Sequence, residues 1–164
     1  MEIRLGPEDE TYLRERIHFC RTELADLQEY RSLTWQVYQA DRRTRRDVER
    51  IIENVCNAVI DMSKNLLAAV AAPPGATYRE VLLMLPLTGL VSTAEAEGLA
   101  GLAPLRNALS HRYLDYKWDA IQKFIRQDSD SVSLFLDRVE ALLAANRRAS
   151  GSPASSSGDP PPTL

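Results

Sequence analysis

Between Leu105 and Tyr116 the chain reads LRNALSHRYLDY, a run that gathers two arginines, an asparagine, a histidine and two tyrosines. Histidine exchanges protons near neutral pH, and arginine carries a fixed planar cation that can grip two phosphate oxygens at once. Those properties suit cleavage of RNA. That reaction needs a group to take the 2′-hydroxyl proton, a group to protonate the leaving 5′-oxygen, and a cation for the charged phosphorane. His111 is the candidate for the proton transfers, Arg106 for the phosphate, and Asn107 for orienting the pair. No metal and no cofactor are expected, because His18 and His111 are the only histidines and the nearest acid to His111, Asp115, stands alone.

Spacing sets a constraint on that chemistry. On a helix Arg106 and His111, five apart, point about 140° away from each other, whereas Asn107 and His111, four apart, share a face. Arginine and histidine converge only if the helix end unwinds at His111, or if a two-fold homodimer sets the segment opposite its own copy and supplies two of each. On spacing alone the plainer account is that His111 favours the negative end of a helix dipole and Arg106 lies on a solvated face.

The elements that must hold this segment follow from periodicity. Leu13, Ile17, Cys20, Leu24 and Leu27 recur in steps of four and three, predicting a helix from about residue 10 to 40. Val48, Ile52, Val55, Val59, Met62 and Leu66 predict a second helix to about Ala72, stopped by Pro73, Pro74 and Gly75. Thr77 and Glu80 have capping-box spacing for a short helix to Leu85. Ser92 and Glu95 open a third long helix through Leu99, Leu102, Leu105 and Leu109 to about His111, with a kink or break expected at Pro104. The rhythm from Trp118 to Leu142, interrupted only by Asp128, predicts a last long helix to about Arg147. The expected architecture is an all-α antiparallel bundle of four long helices and one short one, occupying residues 1–148. Residues 149–164 should form a disordered Ser/Pro-rich tail that has almost nothing to bury.

Composition agrees and excludes several classes. The 164 residues, 45% of them hydrophobic, suffice for one core and not for two. A net charge of −3 and a pI near 5.5 exclude a protein that coats nucleic acid with its whole surface, so any RNA contact is local. Cys20 and Cys56, in no CxxC arrangement, read as small hydrophobes in a reducing cytoplasm. The N-terminus has no secretion pattern, and the longest apolar run, Leu66 to Ala72, is far below the ~20 residues that span a bilayer. His18 and Cys20 lack further ligands at zinc-like spacing and read as packing residues. Gly98 and Gly101 lack the Lys-Ser/Thr of a phosphate loop, which disfavours nucleotide hydrolysis. Arg42, Arg43 and Arg46, with Arg45 and Arg50 nearby, are candidates for RNA-backbone contacts. The simpler reading, given Asp41, Asp47 and Glu49, is a salt-bridged helix face.

The run Arg106-Asn107-Ala108-Leu109-Ser110-His111-Arg112-Tyr113 resembles the R-x4-H-x-Y signature of the HepT-like HEPN family, down to the asparagine after the arginine. The order of elements is similar too, with Glu49-Arg50 in the second helix and TYREVLLML ahead of the motif, so the resemblance spans about residues 10 to 145. It implies a HEPN-type bundle, a homodimer with its cleft at the interface, and metal-independent endoribonuclease activity as the toxin of a toxin–antitoxin pair. The partner it implies is a minimal nucleotidyltransferase antitoxin of the MntA type. It also implies that Tyr113 is the hydroxyl to which that partner attaches AMP groups from ATP and Mg²⁺, with Tyr116 as the competing acceptor. Residue type alone makes Tyr113 a packing tyrosine at a helix end. Each added nucleotide would set phosphate charge beside Arg106 and block the cleft. Departures from the family pattern are Asn57, where the family often has an acid one turn before the position of Asp61, together with Pro104 and the Ser/Pro-rich tail. The alternative is a catalytically silent helical dimer that binds a nucleotidyltransferase or RNA.

Overall fold

The computed structural model describes residues 3–112 and 114–151. They form helices α1 (Pro7–Leu27), α2 (Trp35–Ala40), α3 (Arg42–Ala69), α4 (Tyr78–Leu83), α5 (Thr93–Ala100), α6 (Leu102–His111), α7 (Trp118–Lys123) and α8 (Ser129–Ser150), with no strand among the described residues.

Helix α3 is the axis of the bundle, burying Val48, Ile52, Val55, Val59, Met62 and Leu66 against neighbours on several sides. Cross-helix bonds fix the directions. Asn65 donates to Asp9 (2.9 Å) and Asn54 to Glu23 (3.0 Å), so α1 runs antiparallel to α3. Arg106 reaches Asn57 and Ser110 reaches Glu53, so α6 does the same. Arg21 meets Asp137 (2.5 Å) and Glu140 (2.9 Å) near one end of α1 while Asn146 bonds Glu10 near the other, which sets α8 antiparallel to α1. The expected all-α antiparallel bundle is therefore the observed one, and Cys20 and Cys56 lie in its core as free thiols.

Three expected boundaries move, each for a local reason. The helix expected to run to residue 40 stops at Leu27 and passes through a 3-10 turn at Gln28–Tyr30. Thr34 then caps a new helix by accepting from the Val37 N–H (3.3 Å), and Asp41 caps α3 by accepting from Arg43 (3.0 Å) and Thr44 (3.3 Å). Two side-chain caps seven positions apart outcompete continuation of one helix. The motif helix breaks at Gly101, not at Pro104, because Pro104 then falls in the first turn of α6, where its missing N–H costs nothing. The last helix carries a π segment at Phe124–Asp128, the place where Asp128 interrupts the apolar rhythm. Half-buried Asp128 has its carboxyl pushed up by desolvation, against the pull of Lys123 at 3.5 Å.

The capping boxes divide. At α5 both arms form: Ser92 N–H donates to Glu95 (2.7 Å) and Glu95 N–H to Ser92 Oγ (3.3 Å). At α4 Glu80 N–H donates to Thr77 Oγ1 (3.2 Å), but the Glu80 carboxylate accepts from the Ala76 N–H instead. His18, expected to pack, is exposed. Helix α8 runs to Ser150, and the tail from residue 152 onward lies outside the described residues. Among the described residues no helix is long and apolar enough to cross a membrane.

Candidate functional site on the motif helix

Helix α6 is anchored by Leu102, Ala103 and Leu105, which sink into the core and leave its other faces for chemistry. Arg106 turns toward α3 and α4. Its Nε donates to Asn57 Oδ1 at 2.8 Å, and its guanidinium lies 5.1 Å from the centroid of the Tyr78 ring. Lys64 approaches that ring as well, at 4.7 Å. The partners of Arg106 are thus neutral amides and an aromatic face, and no carboxylate comes within 4.0 Å of it among the described residues. A cation held by neutral groups keeps its charge available to an incoming anion.

Asn57 is the departure noted in the sequence, and here it is the residue that positions Arg106. Sequence reasoning did not assign it that role, nor find Tyr78 or the Ser110–Glu53 contact (2.6 Å) that pins the last turn of α6 to α3. Ser110 lies inside the motif, so its position was the available signal; Tyr78 had none.

His111 is exposed at the end of α6. The helix is intact to that point, with Arg112 N–H donating to Ala108 O at 2.9 Å. Unwinding at His111 is therefore not how Arg106 and His111 converge, and on one chain they keep their separation of about 140°. Asn107, exposed, shares the face of His111 and sits 3.5 Å from Arg106 Nη1, a contact at the outer limit of a hydrogen bond.

Arg112, Asp115 and Lys117, beyond His111, are each bonded. Arg112 pairs with Asp115 (3.0 Å), Lys117 Nζ donates to Asp115 O (2.9 Å), and Lys117 N–H donates to the Tyr38 hydroxyl (3.1 Å). Tyr38 is fully buried and donates to Glu49 at 2.5 Å; burial first, then that bond, push its phenol pKa up. Tyr113 lies outside the described residues, and Tyr116 is about half exposed.

Arg42, Arg43 and Arg46 all project from the first turns of α3 and are exposed. The salt-bridged face expected there does not form: none of the three has a carboxylate within 4.0 Å among the described residues, whereas Arg50 pairs with Glu53 at 3.2 Å. Arg45 is spent on the end of α2, donating to Tyr38 O (3.1 Å) and Gln39 O (3.0 Å). Arg43, Arg46 and Arg50, with Asp47, Glu49 and Glu53 among them, line an open depression of about 580 Å³ that reaches Leu109 of α6, so this turn and the motif helix share one surface; Arg42 lies outside it.

The family model described as Ribonuclease HepT-like matches residues 20–139. No curated protein matches the chain in sequence. Similar solved structures include a toxin–antitoxin crystal structure with AMP-PNP, 15% identical with a TM-score of 0.72 over 80% of this chain and 98% of that one. Another is a tri-AMPylated HEPN toxin of Shewanella oneidensis in complex with an MNT antitoxin, 16% identical, TM-score 0.71, covering 79% of this chain and 97% of that one. A third is YutE, a cytosolic protein of unknown function from Bacillus subtilis, 16% identical, TM-score 0.71, covering 88% and 94%. At these identities the likeness is one of fold.

Proposed function

The chain belongs to the HepT-like ribonuclease family, and from that premise we propose that it is the toxin of a toxin–antitoxin pair, a cytoplasmic endoribonuclease that works without a metal. The observation that carries this reading is Arg106, held in place by Asn57 and Tyr78 with its charge unneutralised, one residue before the face that bears Asn107 and His111. A homodimer with α6 at its interface completes the cleft by bringing the Arg106 of one protomer toward the His111 of the other.

In that cleft one imidazole takes the 2′-hydroxyl proton as the 2′-oxygen attacks phosphorus. Arg106 stabilises the phosphorane, Asn107 orients the phosphate, and the second imidazole protonates the 5′-oxygen as the P–O5′ bond breaks. The products are a 2′,3′-cyclic phosphate and a 5′-hydroxyl. Arg43 and Arg46, with Arg42 beside them, hold the flanking backbone without reading sequence.

The partner is an MntA-type nucleotidyltransferase. The tri-AMPylated toxin found with its MNT antitoxin supports this for a protein of the same fold. The Tyr113 hydroxyl attacks the α-phosphorus of ATP, pyrophosphate leaves, and the AMP groups compete with RNA for Arg106. Expression of the intact chain should arrest bacterial growth, while Arg106→Ala and His111→Ala should not. Tyr113→Phe should remain toxic and escape the partner, with AMP mass absent from residue 113. Equal harmlessness of the intact, Arg106→Ala and His111→Ala chains without a partner would instead favour a silent dimer that binds its nucleotidyltransferase.

A further inference from the structure

Beyond α6 a cavity of about 630 Å³ opens beside the motif and has no part in the scheme above. Trp35, Tyr116 and Trp118 supply its aromatic walls, and Ala108 and Arg112 of α6 close one side. Trp35 and Tyr116 meet edge to face with centroids 5.3 Å apart, and Trp35 and Trp118 are tilted by 55° at 6.2 Å. Neither pair is stacked face to face. Buried Tyr38 underlies the group, 5.4 Å from Trp118 and 6.1 Å from Tyr116, and Arg45 lies 5.2 Å from the Tyr116 centroid, so the platform is fixed and cationic on one side.

Its place on α6 joins it to the chemistry. At 100° per residue Ala108 and Arg112 lie to one side of His111, about 60° and 100° round the helix from it, so the wall they form adjoins the face that bears His111. The polar lining has a definite character. Asp115 is held by Arg112 at 3.0 Å, and Lys117, which is buried, is taken up by the Asp115 carbonyl at 2.9 Å, whereas Asp119 is exposed with no ion-pair partner within 4.0 Å among the described residues. Ionised carboxylates only accept hydrogen bonds.

We propose that this cavity seats an unpaired nucleobase of the substrate strand beside the phosphate cut at His111, and that it prefers bases with an exocyclic amino group (adenine, cytosine or guanine) to uracil. This rests on the ribonuclease reading above. Every base offers a π-face for an aromatic platform, and sites of roughly 300–1,000 Å³ suit ligands of this kind. An amino group donates to Asp119. Uracil has no amino group, and its one donor on that edge, N3–H, lies between two carbonyl oxygens, so a carboxylate that accepts from it is set against their negative charge. An apolar peptide in the same space would leave the carboxylates and Arg112 facing carbon.

The test uses the full chain carrying His111→Ala, so that RNA stays intact, with fluorescent octamers of A, C and U read by anisotropy. The A and C octamers should bind roughly tenfold or more tightly than U. Tyr116→Ala should weaken A and C by roughly 5- to 150-fold. Asp119→Asn should erase the preference without weakening U. AMP should quench tryptophan fluorescence in the parent and less so in Tyr116→Ala. Equal binding of all three octamers, binding of none, or no effect of either substitution overturns the pocket. The two readings separate cleanly. Cleavage by the unsubstituted chain with no effect of Tyr116→Ala removes the pocket alone, whereas base preference in a chain that cuts no RNA removes the ribonuclease and leaves the pocket standing.

Discussion

Replacing Asn57 by alanine removes the acceptor that holds Arg106 Nε at 2.8 Å and leaves the guanidinium its contact with Tyr78 at 5.1 Å and the marginal one with Asn107 at 3.5 Å. A hydrogen bond to a charged group contributes roughly 1.5–3 kcal/mol, and partial burial places this one at the lower end. At about 2–4 °C per kcal/mol for a chain of this size, the unfolding midpoint should fall by about 3–6 °C. The effect on chemistry should be larger. A catalytic group displaced by about 1 Å can lose on the order of a hundredfold in rate, so kcat should fall by roughly 10- to 100-fold with KM little changed. Asn57→Asp keeps an acceptor at the same place and should recover most of both losses. The assays are thermal unfolding by circular dichroism and steady-state cleavage of a fluorescent RNA. An Asn57→Ala chain that melts lower yet cuts with the parent's kcat would refute the claim that Asn57 positions Arg106 for catalysis.

Tyr38→Phe retains the buried ring but strips the Lys117 N–H and Glu49 of their partner, so urea titration should show a loss of about 2 kcal/mol; an unchanged midpoint would deny that bridge its role. Ala71, two residues past the end of α3, has a φ of 53°, a left-handed conformation that costs a non-glycine residue roughly 1–2 kcal/mol, so Ala71→Gly should raise the midpoint by about 1–4 °C, and a fall would count against strain there. The Ser92 N–H, then its hydroxyl, and the Arg138 guanidinium hold the Glu95 carboxyl below its ordinary range. Its contribution is therefore present at neutral pH and lost as pH falls through that lowered value, so stability should decline on acidification and decline less steeply in Glu95→Gln; parallel pH profiles would contradict the assignment.

The bundle was legible because the buried stripes of α1, α3, α6 and α8 are nearly continuous in the sequence, and burial of those stripes decides the architecture. Its interruptions were less so. Thr34 and Asp41 carry cap chemistry, yet the apolar rhythm around Tyr38 masked the restart of the chain. Pro104 drew the expected break toward itself although Gly101 supplied it three residues earlier. In the site, Arg106, Asn107 and His111 were visible by type and spacing, and the 140° that separates arginine from histidine persists in the intact helix. Asn57 and Tyr78 were not visible as partners of Arg106, because contacts across 49 and 28 residues of sequence arise only when α3, α4 and α6 pack together. The three arginines at the start of α3 were read as salt-bridged from nearby acids in the sequence, but Asp41 turns back to cap its own helix and Asp47 bonds Tyr30.

The most direct test of the account is incubation of the purified chain with end-labelled RNA in excess chelator. The account predicts cleavage that leaves a 2′,3′-cyclic phosphate and a 5′-hydroxyl, and its disappearance in both Arg106→Ala and His111→Ala. Cleavage that survives in either variant, or that stops in chelator and returns with Mg²⁺, would contradict it.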